Sequence, residues 1–286
     1  MQKISSIMLV SFITNLCLSI IKIITGLIFT SSALIADGIH SFSDLVTDVV
    51  AIIGDHISRK PADSKHPFGH GKLEYLTSLA IGIIILFLGF SVISGSFSRE
   101  IVIPSLLVSI VSFFTIITKF ILSGFLISKG KKLKNSILVA SGKESSTDCL
   151  SSIVVLISSI LMQFSGKIEF LKYADMVATI IVGIFVVKVG FDILKNNVSI
   201  LIGECETDDE VLDNLKNNIM KEEYVKKIDN LYLFKYGSYY KLIFEVTIDG
   251  NLSFKKAHNL MHILENKIKE DNSKIKYITV HANPDE

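Results

Sequence analysis

The chain has 286 residues and a net charge of +1, and 49% of its residues are hydrophobic. Its mean hydropathy of +0.51 is too high for an ordinary soluble domain of this size, so the composition predicts an integral membrane protein. The near-neutral charge argues against a nucleic-acid partner. The three cysteines form no CxxC pair, which argues against a thiolate zinc site or a disulfide framework.

Apolar segments in residues 1–202 predict a transport domain of six membrane-spanning helices, each long enough to cross a bilayer. The predicted spans are Ser6–Phe29, Ser32–Ser58, Leu73–Gly95, Ile103–Ile127, Ser136–Phe164 and Ala174–Ile200. Lys3 precedes the first span, and lysine and arginine are concentrated in the loops after the second and fourth spans. This bias places both termini in the cytoplasm, and the cell membrane is the expected location.

After the sixth span the sequence becomes charged and amphipathic, which predicts a cytoplasmic domain over residues 203–286. Thr207 and Glu210 form a capping-box pattern that predicts a helix running to about Lys221. The elements predicted next are a strand near Lys227–Lys235, a strand over Tyr240–Ile248, a helix after Ser253 and a strand over Ile275–His281. The order αββαβ predicts a small, ferredoxin-like α+β domain with both helices on one sheet face.

One face of the second predicted span carries five ionisable side chains within about a quarter of the helix circumference. They are Asp37, His40, Asp44, Asp48 and Asp55. Ionisable groups inside a bilayer cost on the order of several kcal/mol each unless they face a cavity, a partner or an ion, so this stripe predicts a transport pathway. The alternative is that some of these groups pair with lysines of the apolar spans, namely Lys22, Lys119 and Lys188.

Two pairs of metal-ligand residues are spaced four residues apart in separate spans. His40 and Asp44 lie on one face of the second span, and Glu144 and Asp148 repeat the spacing in the fifth. Two such helices facing each other would present one imidazole and three carboxylates to a divalent cation. Without a cation, neighbouring carboxylates repel one another, so we expect shared protons to balance them. The alternative for the second pair is an ion pair between Glu144 and Lys143 or a neighbouring helix.

Two further groups of ligand residues lie outside the predicted spans. The loop PADSKHPFGHGK holds Asp63, His66 and His70, which predict a second ion site near the cytoplasmic face. The alternative is a turn with exposed histidines. In the C-terminal domain, the histidines and acids that a suitable fold could bring together are His258, His262, His281, Asp229, Glu245 and Asp285. These could equally be ordinary surface residues.

Four segments, in this order, resemble the cation diffusion facilitator family of divalent metal transporters: ADGIHSFSD, PADSKHPFGHGKLE, TDCLSS and ITVHANPD. The resemblance covers nearly the whole chain and implies a homodimer that exports a divalent metal in exchange for protons. It implies transport ligands at His40, Asp44, Glu144 and Asp148 and loop ligands at Asp63, His66 and His70. For regulatory metal it implies Asp229, Glu245, His258 and His281, although Asn283 stands where some relatives have an aspartate ligand.

Glu144 departs from the His or Asp that relatives commonly carry at this position. A set of one nitrogen and three oxygens leaves Zn²⁺, Mn²⁺, Fe²⁺, Co²⁺ and Cd²⁺ open, with Zn²⁺ or Mn²⁺ favoured as substrate and regulator. The alternative functions are a proton-coupled exporter of an organic cation and a membrane-anchored metal sensor. The sequence has no nucleophile and base pair and no phosphate-binding glycine loop, so we expect no enzyme.

Overall fold

The computed structural model describes residues 2–58, 60–98, 101–133 and 135–285, and within them the chain begins with long helices. Their bounds are α1 Gln2–Ile28, α2 Ser32–Ser58, α3 Leu73–Ser98, α4 Leu106–Lys132, α5 Ser136–Gln163 and α6 Ala174–Leu201. Among the described residues, five helical segments are long and apolar enough to cross a membrane. These are Ser6–Ile28, Leu73–Ser98, Leu106–Lys132, Ile137–Gln163 and Glu169–Leu201. The acidic helix α2 is not among them.

The chain divides into two compact units that do not follow the sequence in a single cut. The first unit comprises Met1–Val49 and Ala80–Ile193, and the second comprises Val50–Leu79 and Leu194–Glu286. The second unit therefore contains the last part of α2, the loop that follows it and the first part of α3. The C-terminal residues that follow α6 belong to the same unit as this loop.

Close backbone contacts and one cap position α2 within the first unit. A Cβ atom added at Gly38 would lie 3.0 Å from the backbone nitrogen of Ile23, so glycine lets α1 and α2 approach closely. The N-terminus of α2 is capped by Asp175 of α6, whose carboxylate accepts hydrogen bonds from Ser31 Oγ at 2.7 Å and Ser32 N at 2.8 Å. A carboxylate at this end also complements the helix dipole. Asp37 and His40, at the start of the ionisable face of α2, are buried.

The C-terminal part of the second unit has the predicted order αββαβ. The elements are α7 Asp209–Met220, β1 Val225–Tyr236, β2 Tyr239–Ile248, α8 Phe254–Asp271 and β3 Ile275–Pro284. The sheet has the order β1-β2-β3, with β1 antiparallel and β3 parallel to β2. The predicted capping residue Thr207 was wrong by one position. Asp208 caps α7, because its side chain accepts hydrogen bonds from the backbone N–H groups of Glu210 and Val211.

The core of this domain lies between one face of the sheet and the two helices. Alternate side chains of β2 are buried, as the sequence pattern predicts. They are Leu242, Phe244, Val246 and Ile248. The helices add their apolar faces to the same core through Leu215, Ile219, Leu260, Leu264 and Ile268. Sharing one core places both helices on the same face of the sheet.

Candidate metal centre

Three of the four predicted transport ligands lie together in the first unit. The ligand atoms of His40, Asp44 and Asp148 all lie within 4.8 Å of one another. His40 and Asp44 come from successive turns of α2, and Asp148 comes from α5. Within the described part of the chain, His40 Nδ1 and Asp44 Oδ2 are buried and have no hydrogen-bond partner. Leaving such atoms unsatisfied costs about 1–3 kcal/mol each, so a cation that both atoms could coordinate fits this cluster.

Glu144 is not part of this three-residue cluster. It lies one turn before Asp148 on α5, and its side chain is exposed. Glu144 still interacts electrostatically with Asp44, Asp48 and Asp148. Asp48 is likewise exposed, one turn after Asp44 on α2. The side chain of Asp55, the last residue predicted for the stripe, lies outside the described part of the chain.

Two buried lysines neutralise aspartates in and beside the cluster. Lys119 Nζ lies 2.7 Å from Asp148 Oδ2, and Lys22 Nζ lies 2.8 Å from Asp37 Oδ2. The side chains of Lys119 and Lys22 are 1% and 0% exposed, respectively. Pairing of a stripe acid with a lysine, the alternative drawn from the sequence, therefore occurs for Asp37. Asp148, which lies outside the stripe, also pairs with a lysine of a neighbouring helix. Lys188, the third lysine of that alternative, is exposed on α6.

Serine side chains complete this polar network, and sequence reasoning missed their role. Ser41 Oγ accepts hydrogen bonds from Lys22 at 3.1 Å and from Lys119 at 3.2 Å. Ser151 and Ser152 of α5 donate to the two carboxylate oxygens of Asp37 at 2.5 and 2.8 Å. Asp37 thus links α1, α2 and α5 and is fully buried. Lysines are unusual in apolar spans, so the sequence pointed to their part in the network. Serines are frequent in these spans, so their part could not be predicted.

The loop between α2 and α3 brings together all three predicted loop ligands. The ligand atoms of Asp63, His66 and His70 lie within 4.8 Å of one another. Asp63 accepts from His66 N at 2.6 Å and from Lys65 N at 2.9 Å, and these backbone bonds hold the pKa of Asp63 below its ordinary range. His70 Nδ1 donates to Pro61 O at 3.1 Å, and its Nε2 lies 3.3 Å from Asp63 Oδ2, so Nε2 is the ring nitrogen that faces a cation bound beside Asp63. A hydrogen-bonded imidazole of this kind is a well-oriented metal ligand.

The loop is anchored on the sheet within the second unit, mainly by Tyr239 at the start of β2. Tyr239 Oη donates to Phe68 O at 2.7 Å and accepts from Gly71 N at 3.0 Å. The Lys241 ammonium lies 3.5 Å from the centre of the Phe68 ring, a cation–π contact. Gly69 has φ +76°, and a Cβ atom there would lie 2.5 Å from Tyr239 Oη, so the loop requires glycine at this position.

The four residues predicted for regulatory metal do not form a comparable cluster among the described residues of one chain. Asp229 accepts from Thr247 Oγ1 at 2.7 Å and pairs with Lys227, and Glu245 accepts from Asn230 at 2.9 Å. Glu245 and His281 are neighbours across β2 and β3. His258 instead contacts a histidine of its own helix, with 3.1 Å between the Nε2 atoms of His258 and His262. Asp285, the other acid considered, follows β3.

A helical membrane unit with a buried cluster of cation ligands, joined to a small α+β unit, defines a class of integral membrane metal transporters. Residues 8–202 match the family model described as the cation efflux transmembrane domain, and residues 207–285 match the cation efflux protein cytoplasmic domain. These matches cover most of the chain, which therefore belongs to the cation efflux family, the cation diffusion facilitators. Members of this family transport divalent metal ions.

Three relatives are similar to this chain over nearly their whole length. An uncharacterized transporter of Methanocaldococcus jannaschii is 31% identical over 276 residues, covering 94% of this chain and 94% of the relative. The manganese efflux system protein MneP of Bacillus subtilis is 31% identical over 284 residues, covering 96% of this chain and 94% of the relative. The manganese efflux system protein MneS of the same organism is 28% identical, with 96% and 94% coverage.

Proposed function

We propose that this protein exports Mn²⁺ from the cytoplasm across the cell membrane in exchange for protons, by alternating access at His40, Asp44 and Asp148. The observation that carries the proposal is the meeting of these three ligand groups within 4.8 Å in an apolar helical unit. A buried carboxylate oxygen of Asp44 and a buried imidazole nitrogen of His40, both without hydrogen-bond partners among the described residues, are suited to a cation that enters and leaves. Because ligands must be deprotonated to coordinate, metal binding and proton binding exclude each other there.

The donor set favours manganese over zinc as the substrate. One imidazole and carboxylate oxygens form a harder ligand set than the nitrogen and sulfur ligands on which zinc sites commonly rely. The similarity to two manganese efflux system proteins supports the same assignment. Glu144, one turn from Asp148, would add a further oxygen if α5 or its side chain moved during transport. Zinc remains the alternative substrate, and a regulatory metal would bind the loop cluster.

We assign α2 as a sixth span, because its 27 residues can cross a bilayer and Asp37 on its acidic face is buried against α1 and α5. An even number of spans places both termini on the same side of the membrane, and the lysine-rich loops after the second and fourth spans favour the cytoplasmic side. The match of residues 207–285 to the cytoplasmic domain of cation efflux proteins supports a homodimer formed through this domain. A shared regulatory ion would stabilise such a dimer by mass action.

Metal flux in tight proteoliposomes with an internal pH dye tests the proposal. Zinc, manganese, ferrous iron, cobalt and cadmium are compared for the wild type, Asp44→Asn and the control Asp192→Asn, which removes an exposed carboxylate from α6. We expect manganese-driven proton movement in the wild type and control, and a loss of about 100-fold or more in Asp44→Asn. Flux of no metal by folded wild-type protein would contradict the exporter assignment and favour an organic-cation exporter or a metal sensor.

A further inference from the structure

The Lys119 ammonium is bound to a carboxylate that the proposed transport site needs. We propose that Lys119 is a resident counter-cation that competes with the transported metal for Asp148, and that this competition weakens metal binding enough for release. The inference rests on the proposed function and adds to it a residue that sets affinity. Lys119 is a positioning residue here, because it acts on the metal through Asp148.

Lys119 and Asp148 form a close, largely buried ion pair at the edge of the ligand cluster. Lys119 Nζ lies 2.7 Å from Asp148 Oδ2 and donates a hydrogen bond to it, and the Lys119 side chain is 1% exposed. Asp148 is also one of the three clustered ligands. A metal bound at Asp148 would therefore lie close to a fixed positive charge in surroundings with little water to screen it. Either the ammonium moves away or the metal binds against its repulsion.

A second acceptor is already in place for the displaced ammonium. Lys119 Nζ also donates to Ser41 Oγ at 3.2 Å, so leaving Asp148 does not leave the buried ammonium without a hydrogen bond. Ser41 directly follows the ligand His40 on α2, so the acceptor lies beside the ligand cluster. Lys22 provides a contrast. It pairs with Asp37, which is outside the ligand cluster, and it has Ser41 and Ser152 as further acceptors.

The formal charges around the cluster explain why a resident cation favours release. With His40 neutral, the carboxylates of Asp37, Asp44 and Asp148 face the ammonium groups of Lys22 and Lys119, which leaves one net negative charge. A divalent ion converts this to one net positive charge. Without Lys119 the loaded cluster would be neutral, and the ion would be held more tightly. The nearby exposed acids Asp48 and Glu144 add the same charge in both cases.

Metal affinity and transport by charge variants of the full chain test the inference. We compare Lys119→Met, Lys119→Arg and Lys188→Met, the last removing an exposed lysine of the same unit, for Mn²⁺ binding by calorimetry in detergent and for flux in proteoliposomes. For Lys119→Met we expect Kd and KM to fall about tenfold or more while kcat also falls, because release slows. Lys119→Arg keeps the charge and should remain near the wild type, and Lys188→Met should not change either constant.

A second variant separates competition from a structural role. Ser41→Ala removes the alternative acceptor, so Lys119 is held on Asp148 and Mn²⁺ binding should weaken, the opposite direction to Lys119→Met. If Lys119→Met does not fold, Lys119→Gln replaces it as the variant that removes the charge, and the same tighter Mn²⁺ binding is expected. Unchanged or weaker binding in a folded Lys119 variant would overturn the inference. Failure of the wild type itself to bind or transport any metal would instead contradict the proposed function.

Discussion

The two clusters of candidate metal ligands differ in their surroundings and in how their charges are stabilised. The cluster of His40, Asp44 and Asp148 is largely buried between helices, and one of its two carboxylates, Asp148, is paired with a lysine of the protein. In the loop cluster, Asp63 and His66 are exposed, and Asp63 is held by backbone N–H groups. Burial makes an uncompensated charge expensive, whereas water stabilises a charge in the loop. A buried site must therefore include its own counter-ions, while an exposed site needs only geometry.

The largest expected effect comes from removing a buried counter-ion. Asp37→Asn leaves the fully buried Lys22 ammonium without its carboxylate, so we expect a loss of about 3–5 kcal/mol in the free energy of unfolding. The measurement is thermal unfolding in detergent, with Asp192→Asn as the exposed counterpart that should leave the midpoint unchanged. The double variant Lys22→Met/Asp37→Asn should recover part of the loss. Equal midpoints for Asp37→Asn and the wild type would contradict the buried-pair argument.

The second prediction concerns metal binding by the loop cluster. His70→Ala removes the imidazole whose Nδ1 is fixed by Pro61 O, so binding at the loop should weaken by about 10- to 100-fold. Calorimetry in detergent should show one fewer ion bound per chain at micromolar metal, while the membrane cluster retains its ion. The matched control is His56→Ala, which removes a histidine near the end of α2. If His70→Ala bound the same number of ions as the wild type, the loop cluster would not be a metal site.

A smaller effect is expected from the contact that anchors the loop. Tyr239→Phe removes one hydroxyl that donates to Phe68 O and accepts from Gly71 N. We expect the free energy that stabilises the loop on the sheet to fall by about 1–3 kcal/mol, because two hydrogen bonds are lost. Limited proteolysis at the Lys65 peptide bond should become faster, and metal binding at the loop should weaken. Tyr277→Phe is the control, because the Tyr277 hydroxyl makes no hydrogen bond to the described residues of the loop. Unchanged proteolysis in Tyr239→Phe would show that the glycines and Phe68 suffice to hold the loop.

The fold was more predictable from the sequence than the polar contacts within it. Helix length, hydropathy and the alternation of Leu242 to Ile248 follow directly from local patterns, so the helices and the order αββαβ could be predicted. The spacing of His40 and Asp44 also placed two ligands on one face. Which lysine meets which aspartate depends on how separate helices pack, and no local pattern contains that information. The pairing of Lys119 with Asp148, and the sharing of Ser41, could be seen only in three dimensions.

The position of the Glu144 side chain likewise depends on helix packing and could not be predicted from local spacing. Its substitution has the smallest expected effect. Its spacing from Asp148 predicts a shared ligand role, yet its side chain is exposed and outside the three-residue cluster. Glu144→His should therefore shift the ratio of zinc to manganese transport by about tenfold at most, or about 1.4 kcal/mol, because imidazole suits zinc better than a carboxylate does. Parallel flux assays with both metals measure this ratio, with Glu144→Gln as the control for lost charge. A shift well beyond tenfold would mean that Glu144 coordinates the ion during transport, and the buried cluster would then gain a fourth ligand that is exposed in this structure.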